Sequence, residues 1–115
     1  MPSTSFSFSS VIRGHHVYKK IWTPYLGEEL VLAAEESNLF DRHAVAALKY
    51  GEIVGHMPHE LTRFSWFFLK RDGGSTKAVV TGKRKKGLGL EVPCDYKYRG
   101  PQRVMKKLEK LLSQL

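Results

Sequence analysis

Cysteine is nearly missing from the chain: Cys94 is the single one among 115 residues. No intramolecular disulfide can form, and a zinc site would have to draw its other ligands from imidazole or carboxylate. A reducing compartment suits such a composition. Long apolar runs are missing too. No stretch approaches the roughly 18 to 20 residues that span a bilayer. Residues 1–10, MPSTSFSFSS, carry neither the basic nor the apolar region of a secretory leader. A soluble, intracellular chain with no membrane partner is therefore expected. Acidic charge is scarce, with 11 Asp plus Glu against 19 Lys plus Arg, a formal +8 and a pI near 9.7. That excess favours polyanions, through a salt-dependent attraction largely blind to sequence. Catalytic signatures are absent as well: there is no GxSxG, no Walker-type loop and no Cys beside a suitable His. The expectation is a protein that is not an enzyme.

What is present is ordinary globular composition, 42% hydrophobic and 26% charged, in a length that fits one domain. Residues 1–10 read as a mostly disordered Ser-rich tip, although Phe6 and Phe8 alternate as if to open a strand. Residues 11–115 read as the folded domain. VIRGHHVY (11–18) is β-branched and aromatic with an internal Gly, which predicts a strand with a bulge. Pro24 and Gly27 mark a loop before a strand over 29–36. HAVAALKY (43–50) and EIVGHM (52–57) flank Gly51, and a type II′ hairpin turn is expected there. Pro58 then opens a helix that ends at Gly73 and Gly74, with Leu61, Phe64 and Phe68 on one face. Strands over 75–84 and 88–98 are joined by a basic turn, and a helix over 101–115 carries Val104, Leu108, Leu111, Leu112 and Leu115 on one stripe. The sum is an α+β domain: a small six-stranded barrel-like sheet with two helices.

One cluster stands out chemically. Asn38, Phe40 and Asp41 place an amide, a ring and a carboxylate within four positions at a junction between strands. Such a trio is suited to stack a base, hold a sugar or phosphate and accept a hydroxyl proton. It is equally suited to a turn stabilised by Asx hydrogen bonds, with the ring capping the core. A carboxylate in a protein that attracts anions is counterproductive unless it meets a donor, and the terminal hydroxyl of a nucleic acid is one.

The order V-I-R-G, G-E-x-L-x-L, E-x-x-N-x-F-D-x-x-A-V and G-E-I-V-G-H-M-P-x-E-L, from about Val11 to about Tyr98, resembles the HIRAN domain. That family occurs as an N-terminal module of SWI2/SNF2-type fork-remodelling helicases and as a stand-alone protein. The resemblance implies an OB-like or SH3-like β-barrel with a pocket for the 3′ end of single-stranded DNA. Carried over by position, Asp41 would meet the terminal hydroxyl, Phe40 and Tyr18 would stack, and Asn38 and His56 would position sugar and phosphate. Arg13 would draw in the backbone, with His16 a further candidate contact, while the run Lys83, Arg84, Lys85 and Lys86 reads by its charge either as a phosphate rail or as a solvated turn or nuclear-import signal. The best-known DNA-binding member has arginine and tyrosine where this chain aligns His16 and Val17, and a later aromatic where it has Leu88 or Leu90. Losing two ring faces, at about 1 to 3 kcal/mol per stacked base, predicts weaker binding. Tyr25 and Trp22 are candidates to compensate.

Other clusters carry less. His15, His16, His43, His56 and His59 with Cys94 follow no metal-ligand spacing, so neither metal nor cofactor is expected. Glu28, Glu29, Glu35, Glu36 and Glu91 would need to converge to hold a nuclease magnesium ion, whereas glutamates at strand ends usually face solvent. Arg103, Lys106, Lys107 and Lys110 read as the solvated face of the last helix. The expected function is single-stranded DNA binding at a free 3′-hydroxyl, with other DNA-processing proteins as partners and a nuclear location in repair or at replication forks. The alternatives are a protein-interaction module that keeps the fold without the end pocket, and non-specific nucleic-acid binding through basic patches.

Overall fold

The computed structural model describes residues 4–14, 22–39, 41–71, 73–83 and 91–114. Among them lie β1 (Thr4–Ile12), β2 (Glu29–Ala34), β3 (Val45–Lys49), β4 (Glu52–His56), α1 (His59–Lys70), β5 (Ser75–Val80), β6 (Val92–Gly100) and α2 (Gln102–Leu112). The strands form one sheet in the order β1-β6-β5-β2-β3-β4, every neighbouring pair antiparallel. This is the expected α+β class, with the sheet curled into a half-barrel.

Strand β6 shows why the sheet has two faces. Val92, Cys94, Tyr96 and Tyr98 are buried while Lys97 and Arg99 are exposed, the period-two pattern of a half-buried strand. The inward set packs with Ile12, Leu30, Leu32, Val45, Val54 and Val80. Two buried tyrosines keep their hydroxyls bonded: Tyr96 donates to the Val11 carbonyl at 2.6 Å and Tyr98 shares a 2.7 Å hydrogen bond with Ser65. Helices α1 and α2 cover this core through Leu61, Phe68, Met105, Leu108 and Leu112. The Phe68 ring meets Tyr98 edge-on at 5.7 Å and lies against two glycines; a Cβ on Gly74 would overlap it, and one on Gly100 would come within 3.0 Å.

Several boundaries differ from the sequence expectation for physical reasons. Residues 4–12 are a strand, not a disordered tip, because β6 pairs with them from Thr4↔Gly100 to Ile12↔Val92. Ser5, Ser7 and Ser9 occupy the solvent side, where a hydroxyl costs nothing, and Phe8 packs on the core. The strand expected over 11–18 instead ends at Ile12, followed by Gly14 at φ 82; residues 15–21 lie outside the described residues. The β3–β4 loop is Tyr50-Gly51, with φ of 52 and 82, so the turn is type I′ and not II′. Pro58 and Pro101 precede their helices as N-caps, and Met105 replaces Val104 and Leu111 as the buried partner of Leu108 and Leu112.

A buried carboxylate ties the segment before β2 to the β3–β4 hairpin. Glu28, 3% exposed, accepts from the Trp22 indole N–H at 3.1 Å and the Tyr25 amide at 3.2 Å, and pairs with Lys49 Nζ at 2.9 Å. The half-barrel is drawn together at a single described point between its outermost strands. Just after β1, the Arg13 N–H donates to the His56 carbonyl at 2.8 Å, and the His56 N–H returns to the Arg13 carbonyl at 2.9 Å. Close approach at this seam needs Gly55, since a Cβ there would overlap Ile12 Cγ2 and lie 3.1 Å from the Arg13 carbonyl.

Candidate functional site

The seam, the β2–β3 connection and the start of α1 meet around a cleft of about 180 Å³ lined by Asn38, Asp41, Ala44, Val45, His56, Met57 and Thr62. The connection is shaped by its own side chains. Asn38 Oδ1 accepts from the Asp41 amide at 2.8 Å, and Asp41 Oδ1 accepts from the His43 amide at 2.9 Å, an Asx turn. Asn38 Nδ2 donates to Glu35 Oε1 at 2.6 Å, and the same oxygen lies 3.0 Å from His56 Nε2. A carboxylate can only accept, so this contact places a proton on Nε2 of His56.

Asp41 thus has one oxygen committed to the backbone and the other beside an imidazole. Oδ2 lies 3.3 Å from Nδ1 of His59, an exposed residue, and the carboxylate is about a quarter exposed. His59 is the first residue of α1, whose N-cap Pro58 supplies no side-chain cap. The unpaired N–H groups at that helix end favour negative charge beside them. The arrangement therefore brings an oriented carboxylate, backed by the His59 imidazole, into a cleft that His56 also lines. Chemically the carboxylate can accept a hydrogen bond from a hydroxyl, while the two imidazoles direct ring nitrogens to the Glu35 and Asp41 carboxylates.

Of the residues expected from sequence, Asn38, Asp41 and His56 come together in this cleft. Arg13 adjoins it through the backbone bridge to His56, but its guanidinium is engaged: Nε donates to Glu91 at 3.1 Å and Nη2 to Glu60 at 3.4 Å. Lys83 lies past the end of β5 and outside the cleft lining. His16, Tyr18, Phe40, Arg84, Lys85 and Lys86 fall outside the described residues. The sequence reading missed Glu35 and His59 as site residues. Glu35 had a signal, since it is the first position of the E-x-x-N-x-F-D motif, three residues before the Asn38 it binds. Among the described residues no group of three or more His, Cys, Asp and Glu is placed to hold a metal ion.

No family model matches the sequence, and no curated protein sequence matches it. Solved structures do. The chain is similar to the crystal structure of the HIRAN domain of human HLTF, with a TM-score of 0.78 and 20% identity over 98% of this chain and 92% of that one. An NMR structure of the same HLTF domain gives 0.74 and 19% over 97% and 90%. The NMR structure of that domain in its DNA-bound conformation gives 0.70 and 19%, with the same coverage. The fold is that of a HIRAN domain.

Proposed function

We propose that the protein is a non-catalytic DNA-binding module that takes a free 3′-hydroxyl end of a single strand into the cleft at the barrel seam. The observation that carries this reading is Asp41, a cleft-lining carboxylate held by the His43 amide through Oδ1, with Oδ2 3.3 Å from His59, in a chain of formal charge +8. The overall charge attracts the polyanion, while the carboxylate rejects a terminal phosphate and accepts a terminal hydroxyl. Asn38 and Glu35 act behind it, Asn38 holding the Asp41 amide and Glu35 orienting His56. His56 and His59 then face the last sugar and phosphate. Phe40, Tyr18 and His16 are assigned to the terminal bases, and Arg13 with Lys83, Arg84, Lys85 and Lys86 to the backbone, where phosphate would compete with Glu60 for Arg13. The DNA-bound conformation known for the similar HLTF domain supports DNA as the ligand class. A nuclear setting among DNA-processing proteins belongs to the same reading.

Fluorescence anisotropy with two oligonucleotides that differ only in ending on 3′-hydroxyl or 3′-phosphate tests it. A hydrogen bond to a charged group contributes about 1.5 to 3 kcal/mol, so the phosphorylated strand should bind at least about tenfold more weakly. Asp41→Asn, which keeps an acceptor for the His43 amide, should erase the preference. Equal affinity of the two strands for the unaltered protein removes the end-recognition role.

A further inference from the structure

On the solvent side of the sheet, away from the cleft, the register assembles a cationic row that no single segment of the sequence displays. Pairing aligns Ser7, Lys97, Lys77 and Val31 across β1, β6, β5 and β2, and Ser5, Arg99 and Ser75 in the adjacent row. These residues line a groove of about 520 Å³. The three cations and three serines are all exposed. Lys77 and Lys97 stand directly opposite each other on neighbouring strands, a like-charge pairing that destabilises a sheet in isolation. Only part of this is relieved internally. Lys77 donates to Glu29 at 2.8 Å, while Glu29 and Asp95 belong to the next register row, outside the groove wall, and Asp95 accepts from Ser9 at 2.7 Å.

We infer that this groove is a second nucleic-acid contact, binding the phosphodiester backbone of a single strand through Lys77, Lys97 and Arg99 with the hydroxyls of Ser5, Ser7 and Ser75. Lysine, arginine and serine are the side chains that contact phosphate oxygens, and such contacts need neither base edges nor rings. An acidic protein surface fits less well. Apart from Val31 the groove exposes no large apolar side chain, so it lacks the anchors around which protein interfaces are built. The outer residues of β2 lead from Val31 through Ala33 to Glu35, a span of about 13 Å at the rise of an extended strand. Strand β2 thus runs from the groove toward Glu35, which contacts Asn38 and His56 of the cleft lining. The groove does not depend on the end-recognition reading, since a strand interior would satisfy it equally.

The test is anisotropy on the full chain with a long oligothymidylate across a salt series, comparing the unaltered protein with Lys77→Gln, Lys97→Gln and Arg99→Gln combined. All three side chains are exposed, and removing the opposed charges relieves repulsion, so folding should be preserved; circular dichroism checks this. Each lost phosphate contact to a single strand lowers the slope of log affinity against log salt by about 0.7, so the triple variant should lose about 2. Its preference for 3′-hydroxyl over 3′-phosphate should be unchanged. An unaltered slope overturns the groove even if end preference is seen, whereas a reduced slope without end preference supports the groove and removes only the cleft reading. Failure of the unaltered protein to bind the strand overturns both. Competition by polyglutamate as effective as by the oligonucleotide, lost in the triple variant, overturns the nucleic-acid assignment.

Discussion

Alanine at Gly55 should open the barrel at its seam. Gly55 does not have a positive φ, so alanine fits its backbone and the penalty is steric. The new methyl would overlap Ile12 Cγ2 and sit 3.1 Å from the Arg13 carbonyl, and neither can yield cheaply, because Ile12 is fully buried and that carbonyl belongs to the closing bridge. Overpacking of a core costs about 1 to 3 kcal/mol, and two backbone hydrogen bonds contribute about 0.5 to 1.5 kcal/mol each. The combined loss of about 2 to 6 kcal/mol is a large fraction of the roughly 5 to 15 kcal/mol that holds a domain folded. Urea unfolding followed by tryptophan fluorescence gives the energy, and amide exchange at Arg13 and His56 gives its location. Gly51→Ala is the contrast: at φ 82 with no atom within 4 Å of its Cβ, it should cost about 1 to 2 kcal/mol through backbone conformation and leave the seam protected. A Gly55→Ala protein within about 0.5 kcal/mol of the parent, with both seam amides still slow to exchange, refutes the reasoning.

Three further outcomes are expected. Glu28→Ala deprives the buried Trp22 indole N–H of its acceptor, which should cost about 1 to 3 kcal/mol in chemical denaturation; an unchanged midpoint would show that the carboxylate is not the hub of that segment. Tyr50→Asn, at φ 52 on a 96% exposed side chain, should raise Tm, since asparagine tolerates the left-handed region better, and a fall in Tm would show that the contact between Lys49 and the Tyr50 ring outweighs the strain. Burial pushes the Cys94 thiol and the Tyr98 hydroxyl each up to about 12, from ordinary values of 9 and 10. Raised acids hold their protons longer in the folded chain, so this contribution is complete below pH 9 and is lost as pH climbs toward 12. Tm should fall across that window while Cys94 resists alkylation at neutral pH, and rapid labelling of the native protein would contradict its burial.

Features written in local periodicity were legible in the sequence. The β3–β4 hairpin announces itself through Gly51 between apolar runs, and both helices through their spaced leucines and phenylalanines after a proline. Strand β1 was not legible, because serines have little strand preference of their own and gain it from β6, more than eighty positions away in the chain. The turn type was misjudged because a tyrosine in the left-handed region runs against its own preference. In the site, Asn38, Asp41 and His56 could be named from motif positions, but the Glu35–His56 contact joins residues 21 apart and exists only once β4 lies beside β3. The cationic row is less visible still, since Lys77, Lys97 and Arg99 become neighbours only through the β5–β6 register.

The ring of Phe68, seated between Gly74 and Gly100, fixes one end of a stiff rod whose opposite tip is His59 at the rim of the cleft. Nine residues separate the two positions, about 13 Å along the helix axis. A pivot so far from the rim turns a slight tilt into a larger displacement of His59 relative to Asp41. Side chains introduced at Gly74 or Gly100 would thus retune the cleft from a distance, leaving every group that lines it chemically intact.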